Sequence, residues 1–212
     1  MRLYYHPFST NARRAVMTAF ELNAPVELVL VDLVKREQQQ PAFLARNPAG
    51  RVPVLEDGGF VLPESHAIMI YLAKRSAGQT LYPSDLQAQA QVNRWMFWCA
   101  AHFQPAISVL NWEHVVKRLA GLGSPDASEI MRGERLVKET AALLDSHLAS
   151  REWLAGPAMT LADISLATPL MTIATAKLPV TQFKHLHSWF GRIQARESWQ
   201  RTASPAPGLA AA

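Results

Sequence analysis

Apolar residues in the first third of the chain change their period several times, and each change marks an element. Arg2 to His6 is short and rich in Leu and Tyr, and Val26 to Leu33 (VELVLVDL) is apolar and β-branched, so both read as strands. Between them, Ala12 to Leu22 carries Ala15, Ala19 and Leu22 at i, i+4, i+7 and stops at Asn23 and Pro25, which predicts a helix. Strand, helix and strand of this length form a right-handed crossover unit. Lys35 to Arg46 is polar and then apolar at Phe43 and Leu44, giving a short irregular helix before the turn Asn47-Pro48-Ala49-Gly50. "RVPVLEDGGFVL" reads as two strands joined at Asp57-Gly58-Gly59, and "PESHAIMIYLAKR" as a helix with Ala67, Ile70 and Tyr71 toward the sheet. The order βαβαββα makes a complete small α/β domain over residues 1–77.

Beyond it the strand-like alternation ceases. Asp85 to Leu119, Asp126 to Ala149, Leu161 to Thr175 and Lys184 to Arg196 are helical in pattern, with breaks at Gly121 to Pro125, Gly156-Pro157 and Pro179. The expected organisation is therefore α/β followed by all-α. Residues 78–85 form a linker, 86–200 a helical bundle domain, and 201–212 a flexible tail against which Trp199 can still pack. No internal repeat is visible.

Charge changes this picture little. The formal net charge is +4 and the pI about 9.5, which raises the question of nucleic acid. Residues 1–80 hold nine Lys/Arg against seven Asp/Glu and residues 81–212 twelve against ten, so neither part has a basic arm, and a nucleic-acid partner is not expected. No run approaches the ~18 apolar residues of a membrane helix, and His6, Arg13 and Arg14 interrupt what a signal peptide would need, so no membrane association is expected. Cys99 is the only cysteine: an intramolecular disulfide, a CxxC pair and a cysteine-rich metal site are excluded, and a reducing cytoplasm is the expected location. Free cysteine in an aromatic stretch, "NRWMFWCAAHF", reads as a small buried hydrophobe. His185 and His187, two apart, point in different directions on a helix, and no metal is expected.

Three short stretches carry candidate chemistry. In "HPFSTNARRA" a strand enters a helix through Ser9, Thr10 and Asn11, which can cap that helix or donate to a ligand. Pro53 inside a strand pattern is anomalous, because proline removes a ladder donor. It is either a trans edge proline or a cis bond that turns the Val52 backbone toward an extended peptide. In "PESHAI", Ser65 can cap the following helix, whose N-terminus suits a carboxylate, while Glu64 would suit an ammonium group. A fourth stretch, "TLADI", is structural: Thr160 and Asp163 have capping-box spacing, and Asp163→Ala should cost about 1 to 2 kcal/mol on capping magnitudes.

Taken together, "STNARRA", "NPAGRVPVL", "ESHAI" and "TLADI" resemble the glutathione S-transferase superfamily over the whole chain, in a bacterial, theta- or beta-like cytosolic form with a serine at the thiol site. The resemblance implies a thioredoxin-like N-terminal domain, a cis Val52-Pro53 bond, the cysteinyl unit of glutathione on the Val52 backbone, and the γ-glutamyl carboxylate at Glu64 and Ser65. It also implies Gln38, Gln39 and Arg51 near the glycine carboxylate, and Phe8, Trp98 and His102 in a cleft for the second substrate. Ser9 is then the thiolate donor, with Asn11 its rival and Thr10 a weaker candidate. Tyr4 and Tyr5 belong to the strand. The implied reaction conjugates glutathione, as co-substrate and without a prosthetic group, to a small hydrophobic electrophile. Glutathione-dependent disulfide or peroxide reduction and a non-catalytic binding module are the alternatives. A homodimer is implied, with Ile68 to Tyr71 and Trp95 to His102 as interface faces.

Overall fold

In a computed structural model the chain is described over residues 1–203 and divides into two compact units, Met1–Tyr82 with the segment from Ala195 onward, and Pro83–Gln194.

The first unit is built on a four-stranded sheet of order β2-β1-β3-β4, with β1 at Arg2–Tyr5, β2 at Glu27–Leu30, β3 at Val54–Asp57 and β4 at Phe60–Pro63. β1 pairs parallel with β2 across the helix α1 (Thr10–Glu21), as a crossover unit requires, and antiparallel with β3. β3 and β4 close a hairpin in which Asp57 faces Phe60 and Gly58 and Gly59 have φ of 55° and 91°. Two central residues at positive φ are what a two-residue hairpin of this twist needs.

Alternation along the strands separates two cores. Leu3 and Leu55 meet Ala15, Val16 and Ala19 of α1 and Ile68 and Leu72 of α3 (Ser65–Arg75). Tyr4 and Val54 point the other way, toward Val31, Val52 and Phe43 of α2 (Pro41–Leu44). The stretch from Lys35 is irregular, as its pattern suggests: a 3-10 turn at Glu37–Gln39 precedes α2.

Two sequence expectations change here. The sheet-facing side of α3 is led by Ile68 and Leu72 rather than Ala67 and Ile70, with Tyr71 partly buried against the same core. Tyr71 stays at the margin because its hydroxyl donates to Asp57 Oδ2 at 2.8 Å. Pro53 is not within a strand, since β3 begins at Val54, and the Val52-Pro53 bond is cis.

A further difference concerns the end of the chain. The pattern assigns residues up to 200 to the helical half and the rest to a loose tail, yet α10 (Glu197–Arg201) belongs to the first unit and packs on α1. Arg13 explains this. Its guanidinium lies 3.6 Å from the centre of the Trp199 ring, donates Nη2 to Trp199 O at 2.8 Å and Nε to Thr202 Oγ1 at 3.1 Å. At the other end of α1, Arg196 donates Nε and Nη2 to the two Glu21 carboxylate oxygens, both at 2.6 Å, and Ser198 Oγ also donates to Glu21. This cover explains why α1 is buried without a break from Ala12 to Ala19 rather than along one stripe. The remainder of the expected tail, residues 204–212, lies outside the described residues.

The second unit is helical. α4 (Leu86–Trp98), α5 (Gln104–Asn111) and α6 (Lys117–Ala120) form one path interrupted by π-helical turns at Cys99–Phe103 and Trp112–Val116. α7 (Ala127–Leu148) packs along α5, and α8 (Leu161–Ala167) and α9 (Lys184–Gln194) complete the unit. Asp85 and Asp126 are N-caps rather than first residues, accepting from Ala88 N at 2.8 Å and from Ser128 N at 2.8 Å. α8 is shorter than its apolar pattern because Pro169 cannot donate back along the helix. The Ser165 carbonyl accepts instead from the buried Cys99 thiol at 3.3 Å. No helix among the described residues is long and apolar enough to cross a membrane.

Candidate active site

The β1–α1 turn begins at His6. Its Nδ1 accepts from Phe8 N at 3.2 Å and its carbonyl from Ser9 N at 3.0 Å, while burial holds the imidazole below its ordinary pKa against an opposing pull from Asp32. Ser9 is the N-cap of α1, with extended backbone, and its Oγ accepts from Ala12 N at 3.2 Å. Accepting that bond leaves the hydroxyl hydrogen free to donate elsewhere. Capping and donation therefore coexist in one side chain. Asn11 is exposed on the first turn of α1, and its Oδ1 accepts from Arg14 Nη1 at 3.0 Å.

Arg14 ties this turn to the second stretch. It is only 2% exposed, and the same Nη1 donates to Ser65 Oγ at 2.9 Å. The expectation that Ser65 caps α3 is thereby corrected. Glu64 occupies the N-cap position with φ 74° and ψ 112°, makes no capping bond through its side chain, and leaves buried Ser65 as the first helical residue. A positive φ on a residue other than glycine costs on the order of 1 to 3 kcal/mol and persists where surrounding structure fixes it. Here it exposes the carboxylate of Glu64 beside the N-terminus of an 11-residue helix, where backbone N–H groups suit an anion. His66, next along, has its pKa pushed down to about 3, first by burial and then by the charge of Arg14.

The third stretch is organised by Asn47. Buried, it accepts from Ala49 N at 3.1 Å through Oδ1 and donates Nδ2 to Arg51 O at 2.8 Å. Gly50 between them has φ 59°, and a Cβ there would stand 2.5 Å from Gln39 Nε2. Gln39 Nε2 in turn lies 3.4 Å from Gly50 O. This close approach brings Gln38 and Gln39 against Gly50, the residue before exposed Arg51. Val52 follows, outside the β1–β3 register, which ends at Tyr4 and Val54.

The structure thus joins Asn11 and Ser65 through Arg14, with Ser9 capping the same helix, and sets Gln39 against Gly50 and the Arg51 backbone against Asn47. Phe8, 45% exposed, packs tilted against His6 with ring centres 5.2 Å apart in the first unit. Trp98 and exposed His102 belong to the second, with ring centres 6.1 Å apart. Among the described residues no group of His, Cys, Asp and Glu has the makings of a metal site. Arg14, Asn47 and Gly50 were not singled out as site residues from the sequence. The three-residue step from Asn11 to Arg14 on a helix is the signal that was available for the first of them.

Both halves of the chain match a known family. Residues 1–74 match the family model "Glutathione S-transferase, N-terminal domain", and residues 95–197 match "Glutathione S-transferase, C-terminal domain". The chain is 35% identical to Glutathione S-transferase 3 of Zea mays, covering 98% of this chain and 95% of that protein. It is 34% identical to human Glutathione S-transferase theta-2, covering 92% and 81%. Among solved structures, glutathione transferase F7 from Populus trichocarpa superposes with a TM-score of 0.87 at 30% identity, covering 95% of this chain and 97% of that one. With a four-stranded thioredoxin-like sheet, a cis Val52-Pro53 bond and family matches in both halves, the chain belongs to the glutathione S-transferase superfamily and is a glutathione S-transferase.

Proposed function

We propose that the protein conjugates the thiolate of glutathione to small hydrophobic electrophiles, with Ser9 as the principal thiolate donor. The observation that carries this reading is the Ser9 hydroxyl: its lone pair is used by Ala12 N, and its hydrogen is left at the positive end of α1. A free thiol of pKa about 8.5 is mostly protonated at neutral pH. A hydroxyl donor and a helix N-terminus favour the anion, and a depression of about 2 units corresponds to about 2.7 kcal/mol. The thiolate sulfur then forms a bond to the electrophilic carbon as a halide leaves or a strained ring opens.

In this reading the cysteinyl backbone of glutathione pairs with Val52, the γ-glutamyl ammonium meets Glu64 and its carboxylate Ser65, and the glycyl carboxylate meets Arg51, Gln38 and Gln39. Asn11 is a second donor to sulfur. Phe8, Trp98 and His102 are assigned to the electrophile. The reading includes a homodimer, which sedimentation would test, and a cytoplasmic location, supported by a single free and buried cysteine. The catalytic test is Ser9→Ala, assayed with chlorodinitrobenzene for conjugation and hydroxyethyl disulfide for reduction. A fall in conjugation of about a hundredfold, with glutathione KM changed only a few-fold, is expected for loss of a donor used chiefly by the ionised sulfur. Full activity in Ser9→Ala would remove Ser9 from this role. Disulfide reduction exceeding conjugation in the unaltered enzyme would favour the reductase alternative.

A further inference from the structure

Arg14 touches two of the proposed glutathione contacts from a single nitrogen. Nη1 carries two hydrogens, and the two acceptors are Asn11 Oδ1 at 3.0 Å on α1 and Ser65 Oγ at 2.9 Å on α3. A guanidinium can only donate. Each partner is therefore an acceptor on the side facing Arg14, and each still has hydrogen to donate elsewhere. Asn11 keeps its amide NH2, and Ser65 keeps its hydroxyl hydrogen. Both are donors, and the ligand groups proposed to meet them, a thiolate and a carboxylate, are both anions. With side-chain burial this deep, the planar fork is held in one orientation, which a flexible ammonium would not reproduce.

We infer that Arg14 is a positioning residue for the transferase, an inference that rests on the glutathione reading above: it sets Asn11 and Ser65 so that one presents donors to the sulfur and the other to the γ-glutamyl carboxylate of the same molecule. Of the titratable groups at this end of α3, His66 has its pKa pushed down to about 3, first by burial and then by Arg14, and does not titrate between pH 6 and 9. Glu64 is exposed beside it and is retained in all the variants compared.

The test uses the full chain with Arg14→Met, Arg14→Lys, Asn11→Ala and Ser65→Ala, and two readouts beside the melting temperature. Affinity for S-methylglutathione, which has no ionisable thiol, reads the carboxylate arm. The pH midpoint of thiolate absorbance for bound glutathione reads the sulfur arm. Arg14→Met should weaken S-methylglutathione binding about tenfold and raise the midpoint by about half a pH unit or more. The first effect should vanish in the Ser65→Ala background and the second in the Asn11→Ala background. Arg14→Lys should retain at most one of the two effects of the native residue. If Arg14→Met alters the melting temperature alone, or its effects are additive in both backgrounds, the inference is wrong. If Arg14→Met does not fold, Arg14→Lys decides, and native values in both readouts overturn the inference. A native enzyme that fails to bind S-methylglutathione would sink the glutathione reading itself, whereas native binding with unmoved Arg14 variants sinks this inference alone.

Discussion

Ser9, Arg14 and His66 show how much of the site is decided by which atoms of a residue are already occupied. Ser9 was legible in the sequence because a small polar residue before a helix has a standard use. That it also keeps a hydrogen to donate is visible only once Ala12 N is seen on Oγ. Arg14 was not legible as a site residue, since a charge amid Ala and Val on a helix reads as a surface cation until two acceptors are found around it. Burial, with the charge of Arg14 added to it, has a measurable consequence at His66. The folded pKa of about 3 lies below the ordinary histidine value of 6.5, so between these values the unfolded chain binds a proton that the folded chain does not. Stability attributable to His66 is thus full above pH 6.5 and falls by up to about 1.4 kcal/mol per pH unit as the pH drops toward 3. Denaturant unfolding at several pH values should show a shallower acid loss in His66→Asn than in the native protein. An identical slope for the two would contradict the assignment.

Among the elements, α8 and α1 illustrate opposite outcomes of reading a pattern. The "TLADI" cap was legible, but its weight was not. Asp163 is fully buried and accepts four hydrogen bonds, from Thr160 N at 2.8 Å, Thr160 Oγ1 at 3.1 Å, Leu154 N at 3.0 Å and Trp189 Nε1 at 2.9 Å. Two of these donors come from outside the cap, so the carboxylate joins the Leu154 loop and α9 to α8. Burial pushes its pKa up, against the four bonds that favour the anion. The sequence-based figure of 1 to 2 kcal/mol is accordingly too small. Asp163→Ala should lower unfolding free energy by about 3 kcal/mol or more, because it leaves several buried donors unsatisfied. Turnover per folded molecule should be unchanged, and a fall in turnover at native stability would show the residue to be more than structural. For α1 the pattern gave the correct face, Ala15 and Ala19, and missed the second, because what covers it comes from more than 170 residues away.

Across the whole molecule, the order of strands and helices was readable because local periodicity dictates it, and the cis Val52-Pro53 bond was readable only through resemblance. The return of α10 to the first unit was not readable, since nothing in "RESWQRTA" announces its partner. Its contribution can be measured. Trp199 is 7% exposed and stacked by Arg13, and Trp199→Ala should destabilise the protein by about 3 kcal/mol. Glu21 adds a pH dependence: burial alone would raise its pKa, but hydrogen bonds from Arg196 and Ser198 lower it below the ordinary 4.5. That contribution is full above pH 4.5 and is lost as the pH falls through the depressed value, so Glu21→Gln should flatten the acid limb of stability below pH 4.5. An unchanged melting temperature in Trp199→Ala would mean that the segment from Ala195 is not part of the cooperative first unit. In the proposed reaction a hydroxyl and a helix N-terminus ionise a thiol that the ligand brings. The most direct measurement is a pH titration of thiolate absorbance for glutathione bound to the native enzyme and to Ser9→Ala. The midpoint is expected about 2 units below the free thiol value of about 8.5 in the native enzyme, and to return most of the way toward it in Ser9→Ala. A native midpoint near that of free glutathione, or a lowered midpoint that survives Ser9→Ala intact, would contradict the account.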